Sequence, residues 1–134
     1  MRDLLIAAVA AFSMTQGVVA QEGLPEVDDE VWAYACAYVE VFEDVQCGDL
    51  DKPKILYNEF RSYFGTPQTT LYGRHYLGSD YIEINVRFYG TDMARTTAVH
   101  ETVHYIGAHQ DAGWSKCYSE DVARRVHHLW EGTK

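Results

Sequence analysis

Apolar positions Val31, Ala35, Tyr38, Val39, Phe42 and Val45 recur at intervals of three and four, with acidic residues between them. That spacing predicts an amphipathic helix from Asp28 to Val45. The stretch "QCGDLDKP" ends it, since Gly48 suits a C-cap and Pro53 forbids continuation. Residues 21–27 carry no periodic pattern and read as a flexible lead-in. After Pro53, "KILY" predicts a short strand, "NEFRSYF" fits neither periodicity, and "GTPQ" breaks the chain again. "TLYGRHYL" and "YIEINVRF", separated by "GSD", predict an antiparallel hairpin. In its second strand Ile82, Ile84 and Val86 share one face while Tyr81, Glu83 and Asn85 share the other, as expected of a half-buried strand near an edge.

The next segment, "YGTDMARTTAVHETVHYIG", predicts a second helix. Thr91 suits the N-cap, Asp92 complements the helix N-terminus, and Gly107 is a natural stop. Val99, Val103 and Ile106 would bury one side of it. A loop, "AHQDAGWSK", leads to a last helix from Cys117 to Trp130. Helix, short strands, helix, helix within 134 residues predicts one small α+β domain.

The first twenty residues change where that domain begins. Arg2 supplies a thin basic start, "LLIAAVAAF" an apolar stretch, and "VVA" before Gln21 the small residues of a cleavage site. The apolar run is too short to span a bilayer. Residues 1–20 are therefore expected to be a secretory signal and residues 21–134 the mature domain, secreted or periplasmic, with no membrane anchor. The net charge of −9 argues against nucleic acid, which a basic face must bind. A monomer with a peptide or protein substrate as its partner is the expectation.

Cys36, Cys47 and Cys117 remain after cleavage. In an oxidising compartment one disulfide and one free thiol are expected. With the first helix running to Val45, Cys36 lies roughly 13 Å from its end. Two further residues would not fold back far enough, so Cys47–Cys117 is the expected bridge and Cys36 a buried thiol.

The chemistry sits in "VHETVHYIGAHQDAGW". His100 and His104 are four apart on a helix, so both rings leave one face and can share a tetrahedral Zn²⁺. Glu101, rotated by about 100°, cannot join them as a ligand but can act as general base towards a zinc-bound water. From its composition, the chain would contain this H-E-x-x-H order by chance only about 0.02 times, so two unrelated surface histidines are the weaker reading. Three residues compete as third ligand: His109 and Asp111 after Gly107, and Glu120 on the last helix. Tyr105, His109, Tyr118, Arg124 and His127 are within sequence range to stabilise a developing oxyanion. His75 reads as a surface histidine; His127 and His128 could form a second metal site, but adjacent helical residues diverge by about 100°, so solvated histidines are the stronger reading.

"HETVHYIGAH" approaches the metzincin pattern H-E-x-x-H-x-x-G-x-x-H, but Gln110 stands in the third histidine's place and His109 falls one residue short. The segment more closely resembles the gluzincins, in particular compact secreted one-domain forms, in which a later helix supplies a glutamate ligand within E-x-x-A. "EDVA", Glu120 to Ala123, matches that pattern. The resemblance covers about Pro53 to Trp130. It implies a zincin-like α+β fold, Zn²⁺ held by His100, His104 and Glu120, and Glu101 as general base of a metallopeptidase. It further implies an edge strand, here "YIEINV", beside the cleft. A secreted zinc-binding protein using the same residues for structure or partner binding is the alternative.

Overall fold

The computed structural model describes residues 23–43, 47–62, 64–68, 70–109 and 120–134. The proposed signal, Asp111 and Cys117 lie outside them. The described residues form three helices, α1 (Asp29–Glu43), α2 (Asp92–Ala108) and α3 (Glu120–Glu131), and strands β1 (Lys54–Asn58), β2 (Gly73–Arg74) and β3 (Tyr81–Asn85). The α+β architecture is as expected, and no described helix is long and apolar enough to cross a membrane.

The sheet order is β1-β3-β2, with β1 parallel and β2 antiparallel to β3. The strand expected at an edge is thus central. Ile82 and Ile84 are fully buried in the main core, yet Glu83 and Asn85 on the opposite face are only 5% and 4% exposed. Those polar residues are buried because they are paired. Arg74 on β2 forms an ion pair with Glu83, and its guanidinium lies over the buried Phe60 ring. Asn85 donates both amide hydrogens, to the carbonyls of Gln68 and Leu71 at 2.9 Å each, and its Oδ1 accepts from the Arg87 backbone at 3.2 Å. Val86 leaves the strand altogether in a short 3₁₀ helix, Val86–Phe88, and is exposed.

Residues 25–27, expected to be flexible, are bonded to the sheet. Val27 donates to the Pro53 carbonyl at 3.0 Å and Ile55 donates to the Pro25 carbonyl at 2.8 Å, which blunts the outer edge of β1. Asp28 then caps α1 by accepting from the Val31 backbone at 2.8 Å. Val31, Ala35 and Val39 form the buried stripe of α1. Arg95 of α2 reaches back to Asp28 and Glu30, tying the first turn of α1 to the middle of the fold.

The cysteine pairing differs from expectation: Cys36 and Cys47 form a disulfide, with Cα atoms 6.0 Å apart. Helix α1 is described as far as Glu43, and the expected helix end at Val45 lies outside the described residues. Cys36 lies roughly 10 Å before Glu43, and the four-residue step from there to Cys47 can span more than that. Cys36 is half-buried and Cys47 fully buried.

Candidate metal centre

Helix α2 runs through the middle of the molecule, against α1, α3, β2 and β3. Thr91 caps it, accepting from the Ala94 backbone at 3.3 Å. The helix continues through Gly107 to Ala108, with His109 as its C-cap. Val99, Val103 and Ile106 are fully buried, and their placement leaves His100 and His104 facing α3. On α3 the stripe Val122, Ala123, Val126 and Trp130 is buried while Leu129 remains 39% exposed. That choice of face turns Glu120, in the first turn, towards α2.

The result is a convergence. His100 Nε2 and His104 Nε2 each lie 3.0 Å from the same Glu120 oxygen, Oε1. One ligand atom from each of these residues falls within 4.8 Å of the other two. Ligands at 2.0–2.1 Å from a tetrahedral ion stand roughly 3.3 Å apart, so this donor set fits a zinc-sized cation with modest adjustment. Two imidazoles and one carboxylate are also the chemistry such an ion takes. His109 is not part of the group: its Nδ1 lies 2.8 Å from the Tyr105 carbonyl oxygen, and its ring is tilted against Tyr105.

Burial sets the electrostatics. Desolvation lowers the His100 pKa to about 4, partly opposed by Glu120, so the ring is neutral at pH 7 and free to ligate. Burial pulls the Glu120 pKa upward, but His100 and His104 outweigh it and hold the carboxylate below its ordinary range. Glu101, 6% exposed beside them, is pushed up to about 8 by desolvation and by the charge of Glu120.

These residues open onto a cleft of about 360 Å³ whose wall includes His100, Glu101 and Glu120. The opposite lip is Leu71, Tyr72 and Gly73, so the edge beside the cleft is the β2 segment rather than β3. Asn85 holds that lip twice, its side-chain amide donating to the Leu71 carbonyl at 2.9 Å and its backbone N–H donating to the Tyr72 carbonyl at 2.8 Å.

Of the expected oxyanion donors, Tyr105 is excluded because its buried hydroxyl donates to the Asp51 carbonyl at 2.7 Å. Arg124 stays near, 3.2 Å from Glu120 Oε2, and Tyr118 lies outside the described residues. His127, expected to be solvated, is half-buried with its Nδ1 2.6 Å from His100 Nδ1; His128 beside it is exposed. His75 is likewise half-buried, edge-on to Tyr105, and burial lowers its pKa. Sequence reasoning missed Gly73, and it named His127 as an oxyanion candidate without foreseeing its contact with His100. A glycine inside a strand pattern is a signal of close backbone approach, whereas nothing local marks His127. Comparison with known protein families, curated proteins and solved structures finds no match for this chain.

Proposed function

We propose that the chain is a small zinc-dependent metallopeptidase of gluzincin kind, directed out of the cytoplasm by residues 1–20 and acting as a monomer on peptides or an unfolded protein segment. The observation that carries this reading is the meeting of His100, His104 and Glu120 at one point, with Glu101 buried beside them on the wall of an open cleft.

His100, His104 and Glu120 would hold the ion, and their chain supplies no fourth ligand from His109. Zn²⁺ there supplies a Lewis acid that acidifies a water and polarises a carbonyl. Glu101 accepts the proton of the attacking water on a carboxylate oxygen and delivers it to the leaving amine nitrogen. Water adds across the peptide bond, giving a carboxylic acid and an amine. The Leu71–Gly73 edge offers backbone groups to an extended substrate, and the exposed Leu71 and Tyr72 side chains favour apolar neighbours of the scissile bond.

The test is incubation of the mature chain, loaded with one equivalent of Zn²⁺, with a mixed peptide library, reading new amino termini by mass spectrometry. Cleavage should disappear with a chelator, return with zinc, and be absent from Glu101→Gln protein that still holds its zinc. Cleavage by that variant would overturn the assigned role of Glu101. Tight zinc binding without cleavage by the wild type would leave the non-proteolytic alternative in its place.

A further inference from the structure

A second group of metal-capable side chains shares the cleft. His127, His128 and Glu131 each offer a ligand atom within 4.8 Å of the other two, and all three line the same cleft as His100 and Glu120. His128 Nδ1 lies 3.0 Å from Glu131 Oε1, and the His127 and His128 ring centroids are 4.3 Å apart. The helical path explains the meeting: residues 128 and 131 are three apart and 127 and 131 four apart, so Glu131 reaches back to both rings. By contrast, the cluster of Cys36, Glu40 and Cys47 is closed by its disulfide.

We propose that His127, His128 and Glu131 form a second divalent-cation site on the wall of the cleft, antagonistic to the first through the His100–His127 contact. The existence of the second site stands on its own geometry; its antagonism rests on His100 being a ligand of the first ion.

The antagonism follows from where hydrogens can sit. An ion on His100 Nε2 leaves that ring's hydrogen on Nδ1, which then donates to His127 Nδ1 across 2.6 Å. The hydrogen of neutral His127 is then on Nε2. A second ion that takes His127 Nε2 needs that ring's hydrogen on Nδ1, but only one hydrogen fits between the two Nδ1 atoms, and the first ion already requires it on His100. One that takes Nδ1 removes the acceptor outright. Either way the two ions make incompatible demands on the His100–His127 contact, so binding of one weakens the other. The second site is the weaker one, because the His128 and Glu131 side chains are 63% and 43% exposed.

Equilibrium dialysis of the mature chain against graded Zn²⁺, with bound metal counted by emission spectrometry, tests this. The wild type should bind two equivalents, the second at least about tenfold more weakly. His128→Ala and Glu131→Gln should each retain only the tight equivalent, and circular dichroism should show their folds intact, as both positions are exposed. His104→Ala should lose the tight equivalent and keep the weak one. His127→Gln should lose the weak equivalent and weaken the tight one about 10–100-fold. A single equivalent in the wild type, or two in both His128→Ala and Glu131→Gln, would overturn the second site while leaving the peptidase reading intact. A tight equivalent that survives His104→Ala sinks the first-site assignment instead. An unchanged tight affinity in His127→Gln would refute the antagonism.

Discussion

Gly73 lies against Glu101 so closely that a β-carbon on it would stand 3.1 Å from Glu101 Cγ, 2.5 Å from Thr97 Cγ2 and 2.9 Å from the Glu83 carbonyl oxygen. The strand at the cleft lip and the helix that carries the proposed base are therefore spaced by the absence of one methyl group. Glu83 is backbone in the sheet and cannot yield without breaking β-pairing. Gly73→Ala is expected to destabilise the fold by about 1–3 kcal/mol, as overpacking does. It should also lower peptide cleavage more than zinc content, because the displaced group is Glu101 and not the ligand set. Denaturant unfolding, metal analysis and cleavage rate on one preparation check this.

Glu101 makes a stability prediction with a definite sign. Its pKa in the zinc-free fold is about 8, above its ordinary value of 4.5, because burial and the Glu120 charge disfavour the carboxylate. Between those values the unfolded chain releases the proton and the folded chain keeps it, so this group makes stability fall as pH rises through the interval. Glu101→Gln removes that dependence. The zinc-free variant should match the wild type near pH 4 and exceed it by on the order of 1–3 kcal/mol near pH 7–8. With zinc bound, the cation favours the carboxylate and the gap should shrink. Urea unfolding of metal-free protein across pH 4–8 measures this, and a gap that narrows as pH rises would contradict it.

The sequence made some of this legible and hid the rest for physical reasons. The start of α2 was readable because Thr91 and Asp92 act locally, and the spacing of His100, Glu101 and His104 is a property of any helix; the end was less so, since the helix runs through Gly107 to Ala108. The burial of α2 on nearly all sides was not readable, since Thr96, Thr97 and Thr102 are buried with the aliphatic residues and blur the stripe. The central place of β3 was hidden in the same way. Glu83 and Asn85 look like a solvent face until Arg74 and the carbonyls of Gln68 and Leu71, all distant in sequence, are seen to satisfy them. His127 was misjudged because adjacency to His128 says nothing of the neighbouring helix. The disulfide was misassigned because the expectation held α1 rigid to Val45, and a shift of one or two residues in a helix end, the scale on which such ends are least certain, decides whether Cys36 can meet Cys47.

Asn85 ties three pieces of chain together, and its loss should be felt at the cleft. Asn85→Ala removes the donors to the carbonyls of Gln68 and Leu71, at a cost of about 1–3 kcal/mol for two lost hydrogen bonds. Because Leu71 is part of the lip, the variant should show raised KM for peptide substrates with little change in zinc affinity. Asn85→Asp should be worse than Ala near neutral pH, since a carboxylate presents acceptors to acceptors. Thermal unfolding and steady-state kinetics on the two variants distinguish the positioning effect from general destabilisation.

The remaining prediction concerns the cysteines. With Cys36 bonded to Cys47, Cys117 is the remaining cysteine of the sequence and is expected to be a free thiol. Alkylation of the denatured, unreduced protein should label Cys117 alone, and digestion should yield a linked pair containing Cys36 and Cys47. The bridge closes a short loop, with a sequence separation of 11, so it restricts the unfolded chain by about 2–3 kcal/mol in the entropy model. Cys36→Ser should therefore lower stability by that order and leave zinc binding at His100, His104 and Glu120 in place, since the bridge joins α1 to Cys47 and the metal ligands lie on α2 and α3. A Cys117→Ser variant should be close to neutral in stability. If it instead proved as destabilised as Cys36→Ser, the pairing would have to be reassigned.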